Sequence, residues 1–266
     1  MNEASAMQDN QFLPVTAWPL PRKVDCMFYH SIDLPDGDTI DGVWDIRGGF
    51  EQYIGHYPLA GKTVFDVGTA GGFLAFSAEQ AGAIVTATDA RDARDIRTIQ
   101  FHDVPFHQDR AAWISYYDPY LVNVKNAFWF TWHKLQSEVE VVYLPIEAYP
   151  FWTRRFDVVI VGALVEHLSD PVTAISNIAA LANEAVIIAF TPVEDSDEQI
   201  MRTANDWSNS TYCYTWWTLS RGLYERIFNN LGFSVEYTTA TARTRHGEHV
   251  GTYERPTIIA RRVKPN

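Results

Sequence analysis

The chain has 266 residues, of which 47% are hydrophobic, and a formal net charge of −12. This length and apolar content suffice for one large α/β domain with a full core. No run approaches the roughly 18 consecutive apolar residues of a membrane span, and the first 11 residues are polar, so we expect a cytoplasmic protein without a secretory signal. The acidic balance argues against a broad nucleic-acid footprint, which needs clustered Lys and Arg. Cys26 and Cys213 are far apart in unlike contexts, which predicts two free thiols.

The first 60 residues are expected to precede the main sheet. Residues 1–21 contain proline and little pattern, which predicts a flexible N-terminal arm. Residues 22–60 alternate, turn at Pro35-Asp36-Gly37 and include a short helix over 48–57. We expect this covering segment, residues 22–60, to lie over a ligand site.

A strand, a glycine-rich turn and a helix then follow without interruption. Residues 62–67 form a short apolar run that predicts a buried strand, and residues 73–80 predict a helix. The glycines between them let the backbone approach a ligand closely, since they have no Cβ. The next strand, 84–88, ends in Asp89, 21 residues after Gly68, where a carboxylate can accept bonds from both ribose hydroxyls. The set predicts a nucleotide-binding unit; a structural β-turn-α unit without a ligand is the alternative.

Further strands and helices alternate to the end of the chain. The predicted strands are 139–144, 156–161, 185–191, 233–237 and 257–262, the last two joined by a basic loop. The predicted helices are 91–99, 126–135, 171–181 after the N-cap Asp170, and 218–231 before Gly232. This order predicts a doubly wound, mostly parallel sheet in a single domain, residues 22–266, with aromatic-rich insertions at 100–135 and 192–217 near an acceptor site.

The glycine turn resembles a known motif. Asp66 lies two residues before Gly68, and the pattern D-x-G-x-x-x-G resembles motif I of class I S-adenosylmethionine-dependent methyltransferases, with Ala70 at the usual middle glycine. The resemblance implies a Rossmann-like seven-stranded sheet whose last strand is antiparallel, and S-adenosylmethionine as cofactor. Pro145-Ile146-Glu147 falls where these enzymes hold the adenine, although Glu147 can also be an ordinary loop acid. The implied cofactor-binding residues are Asp66, Gly68, Thr69, Ala70, Gly72, Phe73, Asp89, Ala90, Ile146, Glu147 and Gly162.

A narrower resemblance concerns the branch that contains the tRNA wobble-uridine carboxymethyltransferases. It depends on Phe28-Tyr29-His30-Ser31-Ile32-Asp33-Leu34, on Gly82-Ala83, and on the stretch from Gly162 to Pro171. That branch also includes enzymes of small metabolites and sugars, which this acidic chain resembles better. We therefore predict methyl transfer to an oxygen of a metabolite or sugar. The alternatives are a tRNA-modifying (carboxy)methyltransferase, a nicotinamide-dependent oxidoreductase, against which Ala70 and the D-x-G pattern count, and a non-catalytic cofactor-binding protein.

Three residues are candidates for the chemistry. An oxygen nucleophile of high pKa benefits from a general base with a near-neutral pKa, which favours histidine. His167, just after the fourth strand, is the first candidate, and His30 on the covering segment is the second. Glu166 would orient a base or bind a cation. The structural alternatives are a histidine that orders a helix start, a core-facing polar anchor, and a solvated first-turn acid.

The remaining expectations concern the acceptor, metals and assembly. The aromatic runs 113–120 and 212–217 are expected either to line an acceptor pocket or to pack the insertions on the core. His102, Asp103, His107 and Asp109 could ligate a divalent ion, but their spacing matches no tight motif, so we predict no metal. The partner is a small-molecule acceptor, neither nucleic acid nor membrane, and the oligomeric state is open, a homodimer included.

Overall fold

The structure, a computed structural model, describes residues 14–15, 18–99, 101, 109–148, 154–204, 213–246 and 249–263. Its strands, in chain order, are β1 Ile32–Asp33, β2 Thr39–Ile40, β3 Trp44–Asp45, β4 Thr63–Val67, β5 Ile84–Asp89, β6 Glu140–Tyr143, β7 Phe156–Gly162, β8 Ala182–Ala189, β9 Val193–Glu194, β10 Met201–Thr203, β11 Trp217–Ser220, β12 Phe233–His246 and β13 His249–Arg262. Its α-helices are α1 Phe50–Tyr53, α2 Phe73–Gln80, α3 Arg110–Leu135, α4 Pro171–Leu181 and α5 Arg221–Asn230.

The main sheet has the order β3-β12-β13-β8-β7-β4-β5-β6. Strands β4 to β8 pair in parallel, and β13 lies antiparallel between β8 and β12. This confirms the predicted doubly wound, mostly parallel sheet with an antiparallel last strand. The sheet has an eighth strand because the short β3 of the covering segment pairs with Arg243 and Thr244 of β12. Strands β4 and β7 are buried almost throughout because the two hydrophobic clusters of the core include residues from alternate positions of both strands.

The last two strands are longer than predicted. The prediction of a basic loop between residues 237 and 257 is wrong, because most of these residues belong to the two strands. Each strand has 14 residues, and only Ile258 to Arg261 of β13 pair with β8. The rest of β12 and β13 forms a two-stranded arm that places its arginines within regular pairing. There Arg245 forms an ion pair with Asp41 of the covering segment.

The 100–135 insertion contains a longer helix than predicted. The 26-residue α3 begins at Arg110 rather than near 126 and has Pro119 inside it. Before Pro119, Trp113 packs in a satellite cluster with Phe101 and Cys213, and after it Phe128 packs in the main core. Trp113 and Tyr117 of the first half pack in this satellite cluster, which local sequence does not reveal. The helix predicted at 91–99 is only a 3-10 turn, Ala93–Asp95.

The covering segment and the residues before it lie against the sheet. Val15 N–H donates to Val141 O of β6 at 2.7 Å, and Trp18 stacks on Trp129 with 5.9 Å between ring centroids. Residues 1–13 and 16–17 of the predicted arm lie outside the described residues. No helix in the described ranges combines the length and apolarity that crossing a bilayer requires. Cys26 and Cys213 are both free thiols, as predicted.

Candidate functional site

The turn between β4 and α2 is built from left-handed backbone. Gly68, Ala70 and Gly72 have φ of 77°, 48° and 87°, and the amides of Gly68 and Thr69 both donate to Thr88 O, at 2.9 and 3.0 Å. A Cβ on Gly72 would lie 2.4 Å from Phe76 and 2.6 Å from Phe128, so this position requires glycine. Ala70 adopts a conformation that costs a non-glycine residue about 1–2 kcal/mol. The turn therefore holds its strained backbone at the carboxyl edge of the sheet.

Asp89 ties this turn to the second strand. Its two carboxylate oxygens accept one bond each from the backbone amides of Ala70 and Ala90, both at 2.7 Å. Burial raises the pKa of Asp89, and the two amides and the nearby Lys125 ammonium act in the opposite direction. A carboxylate has about four lone-pair sites, so two of them are left for ligand hydroxyls.

Asp66 and Thr69 carry buried polar atoms without partners. Asp66 is 1% exposed, and neither of its oxygens has a hydrogen-bond partner among the described residues; the same is true of Thr69 Oγ1. The pKa of Asp66 is raised to about 7, first by burial and then by Asp89. The Thr69 hydroxyl and the Ala75 amide lie close enough to act in the opposite direction, but neither has the geometry of a hydrogen bond to the carboxyl oxygens. Unpaired buried polar atoms are rare and costly, so the site fits a ligand that brings hydrogen-bond donors.

The predicted adenine contacts follow β6. Because Asp89 pairs in register with Tyr143, residues after β6 lie at the same sheet edge as Asp89. Ile146 is 4% exposed and packs in the core, and the Glu147 carboxylate accepts a bond from Ser169 Oγ at 3.4 Å. Burial raises the pKa of Glu147. Gly162, at the end of β7, lies against Leu74, since a Cβ there would be 2.5 Å from its side chain.

Glu166 is a buried, paired acid rather than a solvated one. It is 5% exposed; its Oε1 lies 3.5 Å from Arg255 Nη1, and its Oε2 accepts a bond from Thr191 Oγ1 at 3.4 Å. Arg255 comes from the part of β13 that pairs with β12 but not with β8. Its side chain is 33% exposed and lies 5.2 Å from the Phe190 ring. Sequence reasoning missed Arg255 at this site because 89 residues separate it from Glu166 and no local motif marks it.

His167 is held in one orientation by its neighbours. Its Nδ1 lies 3.3 Å from Tyr214 O and 3.2 Å from Thr215 Oγ1. A carbonyl oxygen only accepts, so Nδ1 donates to Tyr214 O when it carries the proton. In the neutral ring this leaves the lone pair on Nε2, which is the form that a general base needs.

His30 contacts a different part of the site. Its ring lies 5.7 Å from the ring of Phe73, the first residue of α2, and its buried Nδ1 has no partner among the described residues. Burial lowers the pKa of His30 to about 4, so the ring is neutral at physiological pH. His30 and His167 thus contact different segments, and the structure does not pair them.

Several tyrosine side chains lie within electrostatic range of Asp89 or Glu166. Tyr29 interacts electrostatically with Glu166 and Arg255, and Tyr117 and Tyr120 interact with Tyr29 and Asp89. Ring contacts connect Tyr117 to Tyr214 at 6.1 Å and Tyr214 to His167 at 5.5 Å. Burial raises the pKa of Tyr29, Tyr117 and Tyr120, so they are neutral phenols that donate and accept. The structure joins the two aromatic runs at Tyr117 and Tyr214; Tyr29 was missed as a site residue.

Of the four candidate metal ligands, the structure describes only Asp109. His102, Asp103 and His107 fall outside the described residues, and Asp109 caps α3 by accepting a bond from Ala112 N at 2.9 Å. Within the described ranges, no three or more His, Cys, Asp or Glu side chains are arranged to hold a metal ion. A cavity of about 230 Å³ lies between the covering segment and α2, lined by Arg47, Phe73 and Gln80 among others. It is separate from the Asp66 and Asp89 carboxylates.

Comparison with known proteins identifies a matching family and several solved structures with a similar fold. A family model described as a methyltransferase domain matches residues 50–238. The N-terminal domain of EvdMO1, crystallised in the presence of SAH and D-fucose, is 14% identical, with 99% of this chain and 98% of that chain covered and a TM-score of 0.51. A 1,6-didemethyltoxoflavin-N1-methyltransferase from Burkholderia thailandensis is 15% identical over 82% and 78% of the two chains, with a TM-score of 0.47. Magnesium protoporphyrin IX methyltransferase from Synechocystis PCC 6803 is 19% identical over 77% and 76%, with a TM-score of 0.42. No curated protein sequence matches significantly.

Proposed function

The chain belongs to the methyltransferase domain family, and we propose that it transfers a methyl group to an oxygen of a small-molecule acceptor, a metabolite or a sugar. It is a class I S-adenosylmethionine-dependent methyltransferase. The matches support this class and not the narrower branch of tRNA wobble-uridine enzymes. The observation that carries the proposal is the pair of unpartnered carboxylate oxygens on buried Asp66, beside the strained turn and Asp89.

The residues present fit S-adenosylmethionine. Asp89 keeps two free acceptor sites for the ribose hydroxyls. The orphaned oxygens of Asp66 and Thr69 match the ammonium group of the methionyl part, directly or through water. Gly68 and Gly72 let the backbone approach the cofactor, while Ile146 and Glu147 offer an apolar contact and an acceptor to the adenine. The cofactor supplies an activated methyl group on a sulfonium, so the chain's own task is positioning and proton removal.

His167 is the proposed general base. Its Nδ1 is held by Tyr214 O, so Nε2 is the nitrogen that takes the proton from the acceptor hydroxyl. Glu166 does not share this role, because Arg255 and Thr191 already engage its carboxylate. It acts instead by holding Arg255. His30 remains the second candidate, although its low pKa makes it the weaker base.

The acceptor is proposed to bind among the tyrosines. Tyr29, Tyr117 and Tyr214 combine flat apolar faces with hydroxyls that donate and accept, which suits a hydroxyl-bearing small molecule. Arg255 adds a half-exposed cation beside Glu166. This arrangement favours a small acceptor over a polynucleotide, which needs an extended basic surface.

Thermal unfolding with added ligands tests the proposal. S-adenosylhomocysteine should raise the melting temperature, since a ligand at a hundredfold excess over its Kd stabilises the folded state by about 2.7 kcal/mol. NAD at the same concentration is the control and should have no effect. A shift with NAD and none with S-adenosylhomocysteine would refute the assignment of the cofactor site.

A further inference from the structure

Lys125 is fixed beside Asp89 by contacts on two sides. Its Nζ donates to the backbone oxygen of Arg91, two residues after Asp89. The same ammonium lies 4.3 Å from the ring centroid of Tyr143, which is the register partner of Asp89 on β6. Trp129, one helical turn further along α3, donates to Tyr143 Oη at 3.0 Å. Helix α3 therefore holds a half-buried cation against the ends of β5 and β6.

The other acids near Lys125 already have partners. Asp92 pairs with Arg94, Asp95 pairs with Arg91, and Asp118 accepts a bond from Ala93 N at 2.7 Å. In the described part of the chain, Asp89 accepts bonds from backbone amides, as Asp118 does, and no Arg or Lys forms an ion pair with it. It has two backbone amides, and Lys125 is the cation that acts on it.

Asp89 also lies near a second buried carboxyl group. Asp66 and Asp89 interact unfavourably when both are charged, and burial disfavours the charged form of each. A carboxylate accepts stronger hydrogen bonds than a neutral carboxyl group. The ribose is therefore bound best when a cation favours ionisation at Asp89.

We propose that Lys125 is a cofactor-positioning residue whose ammonium group lets Asp89 meet the cofactor ribose as a carboxylate. The inference rests on the proposed function in that it takes the ribose of S-adenosylmethionine as the ligand of Asp89. It extends that function to a residue on α3, which none of the sequence motifs includes. Lys125 acts through Asp89 and the Arg91 backbone rather than on the reacting atoms.

Calorimetric titration with S-adenosylhomocysteine at pH 6, 7 and 8.5 tests the role. Lys125→Met keeps the aliphatic stem over Tyr143 and removes the charge. We expect its Kd to rise about tenfold at pH 6 and by a smaller factor at pH 8.5, because a higher pH itself favours the carboxylate form of Asp89. Lys125→Arg should restore binding to within about threefold at every pH. Lys134→Met is the matched control on the same helix; Lys134 pairs with exposed Asp36, and its loss should change nothing.

The possible outcomes distinguish a failure of this inference from a failure of the proposed function. An unchanged Kd for Lys125→Met at pH 6, or an equal loss at all three pH values, would overturn the electrostatic role, since a packing defect does not depend on pH. Circular dichroism verifies folding, and Lys125→Gln replaces the methionine variant if that variant does not fold. If the wild-type protein binds no S-adenosylhomocysteine at any pH, the proposed function fails and this inference with it.

Discussion

At the scale of single residues, the site concentrates groups that are costly in the free protein. Asp66 has a buried carboxyl group without a partner, Ala70 has a left-handed backbone, and Asp89 lies within electrostatic reach of Asp66. Each feature lowers the stability of the free chain, and the proposed cofactor, with its ammonium group and ribose hydroxyls, would supply partners for the two carboxyl groups. Strain that collects at one sheet edge in this way is typical of binding sites.

Asp66 predicts how the stability of the ligand-free protein depends on pH. Its pKa is about 7 in the folded state and about 3.9 in an unfolded chain. Between these values the folded state binds more protons, so the free energy of unfolding falls as pH rises. From pH 5 to pH 8 the wild type should lose about 2–3 kcal/mol more than Asp66→Asn, which cannot titrate. Urea unfolding of both proteins at the two pH values measures this, and parallel pH profiles would contradict the prediction.

His167 predicts a loss of turnover without a loss of cofactor. His167→Ala should reduce kcat by about a hundredfold or more, because the acceptor hydroxyl loses its base, while the Kd for S-adenosylhomocysteine stays nearly unchanged. The pH-rate profile should also lose its rising limb. His30→Ala, assayed in parallel, is the comparison: if it abolishes the limb and His167→Ala does not, the base is His30.

At the scale of elements, the covering segment depends on close backbone contact. His30 bridges to Trp44 across the segment, and Gly42 lies against the His30 backbone. Tyr29 N lies 3.8 Å from the position of a Cβ on Gly71 in the cofactor turn. The packing within this segment therefore sets the position of Tyr29 and His30 over the site.

Gly42→Ala should disturb this element. Its Cβ would lie 2.3 Å from the His30 carbonyl carbon and 2.6 Å from Ser31 N, and backbone atoms cannot move aside as a flexible side chain can. We expect a loss of about 2–4 kcal/mol in the free energy of unfolding and weaker binding of S-adenosylhomocysteine. Gly49→Ala is the control, since its Cβ would meet Ile46 O at an ordinary 3.5 Å. Equal stability of the two variants would show that the segment adapts.

At the scale of the whole molecule, charge distinguishes the two substrate classes. The net charge is −12, and three of the five arginines near the C-terminus form ion pairs: Arg245 with Asp41, Arg255 with Glu166 and Arg261 with Glu236. Paired arginines contribute little to the field that attracts a polyanion. The molecule therefore favours a small acceptor over RNA.

Binding of bulk tRNA tests this at several salt concentrations. We expect little binding at physiological salt, because few phosphates could be neutralised. A filter-binding assay between about 50 and 200 mM salt gives the slope of log K against log salt. Tight binding with a slope that reports several phosphate contacts would restore the tRNA alternative.

The sequence alone determined the elements that form the proposed cofactor site. The turn from β4 to α2 and the acid at the end of β5 are local features: a buried strand, glycines where φ is positive, and a carboxylate one strand later. Local rules suffice for them because each residue acts through neighbours that are close in the chain or in the adjacent strand. The start of α4 after Asp170 and the end of α5 before Gly232 follow from capping in the same way.

Only the tertiary structure decided which residues complete the site. Arg255 reaches Glu166 because β13 inserts antiparallel between β8 and β12 and continues beyond β8. Lys125 lies near Asp89 because α3 packs against the ends of β5 and β6, and the covering segment brings Tyr29 to the cofactor turn. These pairs are separated by tens of residues and depend on strand order and helix packing. A local sequence pattern contains no information on strand order or helix packing, so these contacts could be identified only in the folded structure.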